Sequence, residues 1–517
     1  MSASTAGWDT VYAVRIDKLN QLLDKQVASG AVKLPQLEGQ TALGHYWSPV
    51  QSIHLVGDPA ISGTRTRIAI ELNYGTIIDN SVSDNDNHGV GLVRIVGTAN
   101  LERLEDDRQV KIVIAPEDCL RNAIVTGADL PPKWKAIIAA AVSQALSEDP
   151  DLLRHVVGVV DLQAPGVAKM PGLSPVEVRH CISGGTLDGD SDKGSILAVV
   201  TMTQPFVQGN PVPVATFDGT ALTKGNDAAF LLSGRKFTRT VLFPGLANGL
   251  FKPPSPFTSD QLRDVEAQHL EVDEAGGAVR IRPGSGWIPL GGATIDLSPM
   301  YGIFAGSIAL PPSVPFAVLG LIAVAGYKLI TTGSLKLEAP MTVNLTDLEV
   351  RRTGNRFTIK ASVHCQVSIA SIDVATVTMT SSTSYDLQIQ PDGNFLFVMA
   401  GTPTNSDPDV DAPDWLKETG VIAPIVVSIV SAIAMVLTEG TAAALIGIML
   451  GLVEAEILVT PALVAKAIAN GGGIAVPAQI GSFFTNAASP MSWFRDLPLK
   501  QQSLTVDQDM KVQGTIG

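Results

Sequence analysis

Between Asp296 and Lys328 the chain runs for 31 residues without a charge, and Thr419–Thr438 and Gly440–Val453 add 20 and 14 more, parted only by Glu439. Apolar stretches of this length must be covered. They can be buried as helices of a large core, line an apolar ligand channel, or insert into a membrane. Pro315–Ile330 reads as a helix that is apolar on nearly every face. Val421–Val453 reads as a helical hairpin with Gly447-Ile448-Met449-Leu450-Gly451 as a small-residue contact face. Pro311, Pro312 and Pro315 break the first run, while Glu439, Glu454 and Glu456 interrupt the second at a cost inside hydrocarbon. No cluster of Lys or Arg brackets either run as an orientation signal would. A permanent membrane protein is therefore disfavoured, and the three placements stay open.

The rest of the composition narrows the function classes. Fifty acidic against 36 basic residues leave a net charge of -14 and a pI near 5.0, the opposite of a nucleic-acid footprint. Charged residues are only 17% and hydrophobics 45%, with a mean hydropathy of +0.25, which excludes disorder. Cys119, Cys181 and Cys365 lie far apart with no Cys-x-x-Cys pair, so they read as buried small hydrophobes and not as a zinc or disulfide framework. Met1–Trp8 has neither a basic region nor an apolar core of the secretory type, so the expectation is cytoplasmic synthesis, with any release by a non-classical route.

Residues Thr10–Ser29 place Tyr12, Ile16, Leu19, Leu22, Leu23 and Val27 at helical spacing behind Asp9 as cap and ahead of Gly30, which predicts one amphipathic helix. Alternation then takes over. Ile68, Ile70, Leu72 and Tyr74, and likewise Val110, Ile112 and Ile114, predict half-buried strands. Pro131 and Pro132 open a second helix with Trp134, Ile137, Ile138, Ala141, Val142, Ala145 and Leu146 on its apolar stripe. Strands resume at Val156–Val160 and Ile196–Met202, and Gln204–Asp218 has the composition of a boundary loop. Ala228–Leu250 is expected to be helical. Leu335–Met399 reads as a long β region with Phe357, Ile359, Ala361 and Val363 facing inward and a turn at Pro391–Asn394. Gln502–Ile516 is expected as a last strand. Two halves follow, 1–222 and 223–517, each of the α+β class.

The chain has no Gly-x-Ser-x-Gly elbow, no phosphate-cradling loop and no His-Glu-x-x-His helix. Gly89-Val90-Gly91 and Gly284-Ser285-Gly286 lack the third glycine of a dinucleotide fingerprint and read as turns. The seven histidines show no ligand spacing with one another. His180-Cys181-Ile182-Ser183 sets a base beside a thiol, but neighbours on a strand point to opposite faces. Acidic loops are the one constellation with metal-ligand character: Asp188, Asp190 and Asp192, then Asp84 with Asp86, and Asp407, Asp409 and Asp411. None completes a calcium loop, and all read first as solvated turns.

The opening Gly7-Trp8-Asp9-Thr10-Val11-Tyr12, with Asn20 and Leu23 behind it, resembles the start of the clostridial forty-seven-kilodalton neurotoxin-cluster protein family. A second match, Ala229-Phe230-Leu231-Leu232-Ser233 with Phe237, Leu242 and Pro244, falls at the head of the second half. Together they span under a tenth of the chain. The resemblance implies two tubular lipid-binding halves, each with long helices wrapped by a curved antiparallel sheet around an apolar groove. It also implies an accessory role in a bacterial toxin cluster, and it carries over no catalytic residue. Trp8 and Tyr12 would then pack as a core aromatic pair.

The expected function is non-enzymatic: a lipid-binding or membrane-interacting protein with no cofactor beyond a bound lipid, with toxin-cluster proteins as further partners. The groove would be lined by Ile16, Leu19, Leu23, Ile137, Ala141 and Val142, with Val318, Leu321 and Ile322 from the second half. Two alternatives stand beside it: a membrane-inserting toxin component that deploys Val421–Val453, and a structural subunit of a toxin complex.

Overall fold

The computed structural model describes residues 5–57, 64–80, 87–115, 123–127, 130–164, 171–183, 195–204, 222, 225–251, 255, 257–282, 288–296, 338–369, 372–389, 394–414, 417, 426–427, 429–433, 437, 445–446, 448, 473–479, 487–493, 499–506 and 509–516. The chain divides into two compact units, Met1–Lys236 together with Phe484–Gly517, and Phe237–Phe483. The segment after 484, grouped with the second half on composition, sits in the first unit.

The first unit begins with β1 Thr10–Arg15, α1 Ile16–Ala28, β2 Gln36–Gln40, β3 Gly44–Val56, β4 Arg65–Leu72, β5 Gly75–Asp79 and β6 Asn87–Val90. It continues with β7 Val93–Glu105, β8 Gln109–Ala115, β9 Ile124–Gly127, α2 Pro132–Glu148, β10 His155–Asp161, β11 Glu177–Ser183, β12 Ile196–Met202 and β13 Ala228–Leu232. The second unit carries α3 Phe243–Phe251, α4 Ser259–His269, β14 Leu270–Asp273, β15 Ala278–Ile281, β16 Ile288–Asp296, β17 Glu338–Thr353, β18 Arg356–Ile369 and β19 Ile372–Ile389. It closes with β20 Asn394–Met399, β21 Thr404–Asn405, β22 Asp409–Asp411 and β23 Gly473–Gln479, after which β24 Met491–Trp493, β25 Leu499–Val506 and β26 Met510–Ile516 return to the first. The described chain is of the α+β class with β-sheet dominant.

A six-stranded antiparallel sheet, ordered β11-β12-β1-β13-β26-β25, holds the first unit together. His180, Val199, Tyr12, Phe230 and Val512 form one row across it, all buried. The next row, Cys181, Ala198, Ala13, Ala229 and Gln513, faces the other way and is buried too. A sheet covered on both faces selects continuous apolar runs and not alternation. That corrects two expectations. Thr10–Arg15 and Ala228–Leu232 are strands, so the helix predicted from Thr10 begins only at Ile16, and Asp9 does not cap it. Tyr12 and Trp8 are both buried but not as a pair, because Tyr12 packs on Phe230 at 5.2 Å while Trp8 joins Val11 and Ala13 in a separate cluster.

The second sheet of this unit runs β24-β10-β8-β7-β4-β3-β5-β6, with β2 on β3 and β9 on β7. Val110, Ile112 and Ile114 on β8 and Ile68, Ile70 and Leu72 on β4 are buried as their alternation requires. Tyr74 is not part of that strand; it turns the chain at φ 56° and stands 78% exposed. Asn20 of α1 closes a strand edge, since its Nδ2 donates to the Leu55 carbonyl at 2.8 Å and its Oδ1 accepts the Leu55 N–H at 2.9 Å. One side-chain amide thus satisfies both backbone groups that a neighbouring strand would have taken.

Helix α2 lies directly on β2, β3 and β5, with Ile137, Ile138, Ala141, Val142, Ala145 and Leu146 buried as predicted. Gly39 permits this: a Cβ there would overlap the Ala141 carbonyl and lie 2.8 Å from the Ala141 Cα. Gly39→Ala is expected to lower stability by about 1–3 kcal/mol, the usual range for overpacking. A chemical-denaturation midpoint reads it, and Ala141→Gly should not rescue it because the clash is with backbone.

Among the described residues of the second unit an antiparallel sheet runs β14-β15-β17-β18-β19-β20-β23, with β16 on β17 and both β21 and β22 on β19. Phe357, Ile359, Ala361 and Val363 face inward, as expected. Phe357 meets Phe397 edge-on at 5.1 Å and Phe237 at 6.3 Å, and the Arg352 guanidinium lies 5.2 Å over the Phe237 ring. Ahead of α3 the backbone widens into a π-turn, Thr238–Leu242, in which the Phe243 N–H reaches the Thr238 carbonyl. Pro244 follows immediately and has no N–H to continue an ordinary ladder, so the wide turn falls where the helix has least to lose. The stretch expected as one helix from Ala228 is therefore a strand, a helical turn at Gly234–Phe237, this π-turn and α3. The last strand expected over Gln502–Ile516 is a hairpin of two, β25 and β26. The turn at Pro391 and the helix at Pro315–Ile330 lie outside the described residues.

Candidate binding cleft

Helix α1 ends at Ala28, and Gly30 takes the left-handed conformation, φ 74°, that lets the chain reverse. The Val32 N–H then returns to the Gln26 carbonyl at 3.1 Å. Leu23, Gln26 and Val32 are thereby gathered on one wall of a cleft of about 510 Å³ in the first unit. Its floor is a row of the sheet: Lys111 of β8 pairs with Val159 of β10, and Val159 pairs with Ser492 of β24. Gln109, two residues before Lys111 on β8, lines it as well.

The far end is set by Arg154, His155 and Val156. Pairing of β10 with β8 slips between Val156 and Gly158, and this bulge leaves Val156 40% exposed in the cleft. Arg154 is held by Asp151 and Glu102, each at 2.7 Å. The His155 Nε2 is buried with no hydrogen-bond partner among the described residues, and burial holds its imidazole below the usual range. Lys111 has a looser tie, its ammonium standing 3.9 Å from Asp106. Asp106 is itself engaged by the backbone N–H groups of Arg108 at 2.9 Å and Gln109 at 2.6 Å, which hold its carboxyl below the ordinary range.

Of the residues expected to line a groove, Leu23 borders this cleft. Ile16 and Leu19 are buried on α1, and Ile137, Ala141 and Val142 are buried between α2 and the sheet. None of those five is among the cleft's described lining. Val318, Leu321 and Ile322, and the acidic loop Asp188, Asp190 and Asp192, lie outside the described residues, as do Asp84 and Asp86. Asp409 and Asp411 are exposed on the short strand β22. Among the described residues no group of His, Cys, Asp and Glu is placed to hold a metal.

His180 and Cys181 do point to opposite faces of β11. The His180 Nε2 donates to the Leu101 carbonyl at 2.8 Å, and burial pushes the Cys181 thiol up to about 12, far from a reactive thiolate. Cys365 is likewise buried and pushed up to about 12. Burial also holds the His180 imidazole below its usual range, as it does His155. Both rings favour the neutral form in the fold, so the unfolded chain binds more protons once the pH falls below about 6.5. Stability is therefore expected to be complete above that pH and to decline below it. Urea midpoints between pH 7.5 and 5.5 read the slope, which His180→Gln should flatten.

Mostly antiparallel β, two units with the second inserted into the first in the chain, and a cleft of mixed apolar and polar lining in the first unit describe the class of protein. The structure superposes over 99% of its length on that of P47 from Clostridium botulinum A2, covering 98% of that chain with a TM-score of 0.64 at 11% sequence identity. It matches P47 of Clostridium botulinum E1 with a TM-score of 0.59 at 10% identity, covering 99% of each chain. The fold is thus that of the clostridial P47 proteins, in agreement with the resemblance of the two sequence motifs. A lipopolysaccharide-binding protein aligned over 99% of both chains has a TM-score of 0.23 at 9% identity, too low to carry an argument. No protein-family profile matches the chain, and no curated protein matches its sequence.

Proposed function

We propose that the protein is a non-enzymatic lipid-binding protein whose first unit takes an acyl chain into the cleft between the end of α1 and strands β8, β10 and β24. The observation that carries this reading is the cleft itself, about 510 Å³ with Leu23, Val32, Val156 and Val159 in its lining. That size falls in the range of small-ligand sites, and each methylene withdrawn from water against these four side chains contributes about 0.8 kcal/mol. No bond-breaking step is required. The tubular arrangement of helices wrapped by a curved sheet belongs to the same reading, and it is supported by α1 and α2 both packing on β3. An accessory role in a bacterial toxin cluster is what the resemblance to the neurotoxin-cluster family adds.

Native mass spectrometry of gently purified protein, followed by organic extraction, tests the reading. A bound lipid, lost when Val156→Trp fills part of the cleft, is the expected result; a ligand-free protein that takes up no fluorescent lipid overturns it.

A second reading, insertion of the apolar hairpin into a membrane, is favoured by one feature. Most of Val421–Val453 lies outside the described residues, but Val427, which is helical, is 65% exposed, while Ile429 and Ile433 of the helical stretch 429–433 are fully buried. Among the described residues no helix is long and apolar enough to cross a membrane. Leakage from liposomes on acidification would favour this second reading.

A further inference from the structure

We infer that the cleft selects single-chain amphiphiles with an anionic head, a carboxylate or a phosphate, and that Lys111 grips the head while the chain lies along Val159 and Leu23. The inference rests on the lipid-binding reading and adds the class of lipid. Three observations carry it.

The first is charge. The whole chain bears a net -14, yet the cleft's described lining includes Lys111 and Arg154 and neither Asp nor Glu. Arg154 is balanced by Asp151 and Glu102 at 2.7 Å, so the attraction an entering anion meets is local to the Lys111 ammonium, which gives position as well as affinity.

The second is availability. The two terminal nitrogens of Arg154 are already engaged by carboxylates at 2.7 Å, so its charge is spent on Asp151 and Glu102 and it takes no part in gripping the head. The Lys111 ammonium is 3.9 Å from its carboxylate partner and keeps donors to offer, on a stem long enough to follow a head group. Lys111, Val159 and Ser492 stand in register across three strands, so the cation, an apolar patch and a hydroxyl follow one another along a single line. The first two of these, cation then apolar patch, match the head and the start of the chain of an amphiphile.

The third is volume. About 510 Å³ lies in the lower part of the range of roughly 300–1,000 Å³ that small-ligand sites span. One medium acyl chain with a small head fills such a space, and two chains do not.

The test uses the full-length, delipidated protein and titration calorimetry with probes of equal chain length: myristate and myristoyl-lysophosphatidate as anions, myristoyl-lysophosphatidylcholine and monomyristoylglycerol as heads without net charge, and inorganic phosphate without a chain. The anionic probes are expected to bind about tenfold more tightly than the others, the size of one charge-assisted hydrogen bond. Lys111→Met should bring them down to the level of the uncharged heads and leave those unchanged, with circular dichroism confirming the fold. Val156→Trp should weaken every probe. Equal binding of all four amphiphiles, or no effect of Lys111→Met, overturns the inference and leaves lipid binding standing. Phosphate binding as tightly as lysophosphatidate makes the cleft an anion site and also overturns it. If no amphiphile binds, both the inference and the lipid-binding reading fall.

Discussion

Replacing Asp9 with alanine is expected to destabilise the first unit by about 3–5 kcal/mol, the usual result of removing one member of a buried charge pair. Asp9 is fully buried and accepts from the Thr203 N–H at 2.9 Å and the Thr203 hydroxyl at 2.8 Å. The Arg235 guanidinium pairs with its other oxygen, and the Lys236 ammonium, itself only 3% exposed, lies 3.7 Å away. Its backbone carbonyl takes the Ser233 N–H at 2.9 Å. The carboxylate therefore joins the head of β1 to the ends of β12 and β13. Loss of the carboxylate takes a counter-charge away from a buried ammonium, whereas removing both charges does not. Asp9→Ala combined with Lys236→Met should accordingly recover much of the loss. Urea denaturation followed by far-ultraviolet dichroism measures both. A single substitution that costs less than about 1 kcal/mol would put Asp9 with exposed ion pairs and refute this account.

Phe357→Ala should be comparably severe in the second unit, at about 3–5 kcal/mol, because truncating a buried phenylalanine forfeits its transfer energy and leaves a cavity. Phe357 is fully buried and is the ring shared by Phe397 and Phe237, so two edge-on contacts go with it. Hydrogen exchange separates the two experiments. Phe357→Ala is expected to speed exchange in peptides from β17, β18 and β20, and Asp9→Ala in peptides from β1, β12 and β13. If Phe357→Ala left exchange in β18 unchanged, the aromatic cluster would not be the core of that unit.

What the sequence disclosed depended on how many faces of each strand are covered. Strand β18, whose buried positions alternate, carries a period-two pattern and was legible along with α2; β8 was legible through Val110, Ile112 and Ile114, although Val113 and Ala115 are buried as well. Strands β1 and β13 are buried on both faces and lose the alternation, so Thr10–Arg15 and Ala228–Leu232 resembled the starts of helices. Their pairing also explains why two motifs far apart in the chain carry one resemblance: Tyr12 lies opposite Phe230, and the Asp9 backbone binds that of Ser233. Asn20 belonged to the same motif, but its task at the edge of β3 depends on Leu55, which no local pattern marks. The cleft was legible only in part. Leu23 stood out through the α1 stripe, and Lys111 is the polar position between Val110 and Ile112. That Ser492 joins them follows from a pairing some 330 residues away in the chain, which leaves no trace in spacing.

The return of Met510–Ile516 to the first unit sets an order of events during synthesis. Strand β13 pairs with β1 on one side and with β26 on the other, and about 280 residues separate β13 from β26 along the chain. At about 5–20 residues per second, a ribosome needs roughly 15–60 s to make that stretch. Throughout that interval β13, with five apolar residues and an open row of backbone groups, is an edge strand of the kind that recruits foreign strands. The unit that begins first is therefore completed last, after the whole of the second has been translated, and its yield in a cell depends on how well that single edge is shielded while the chain is finished.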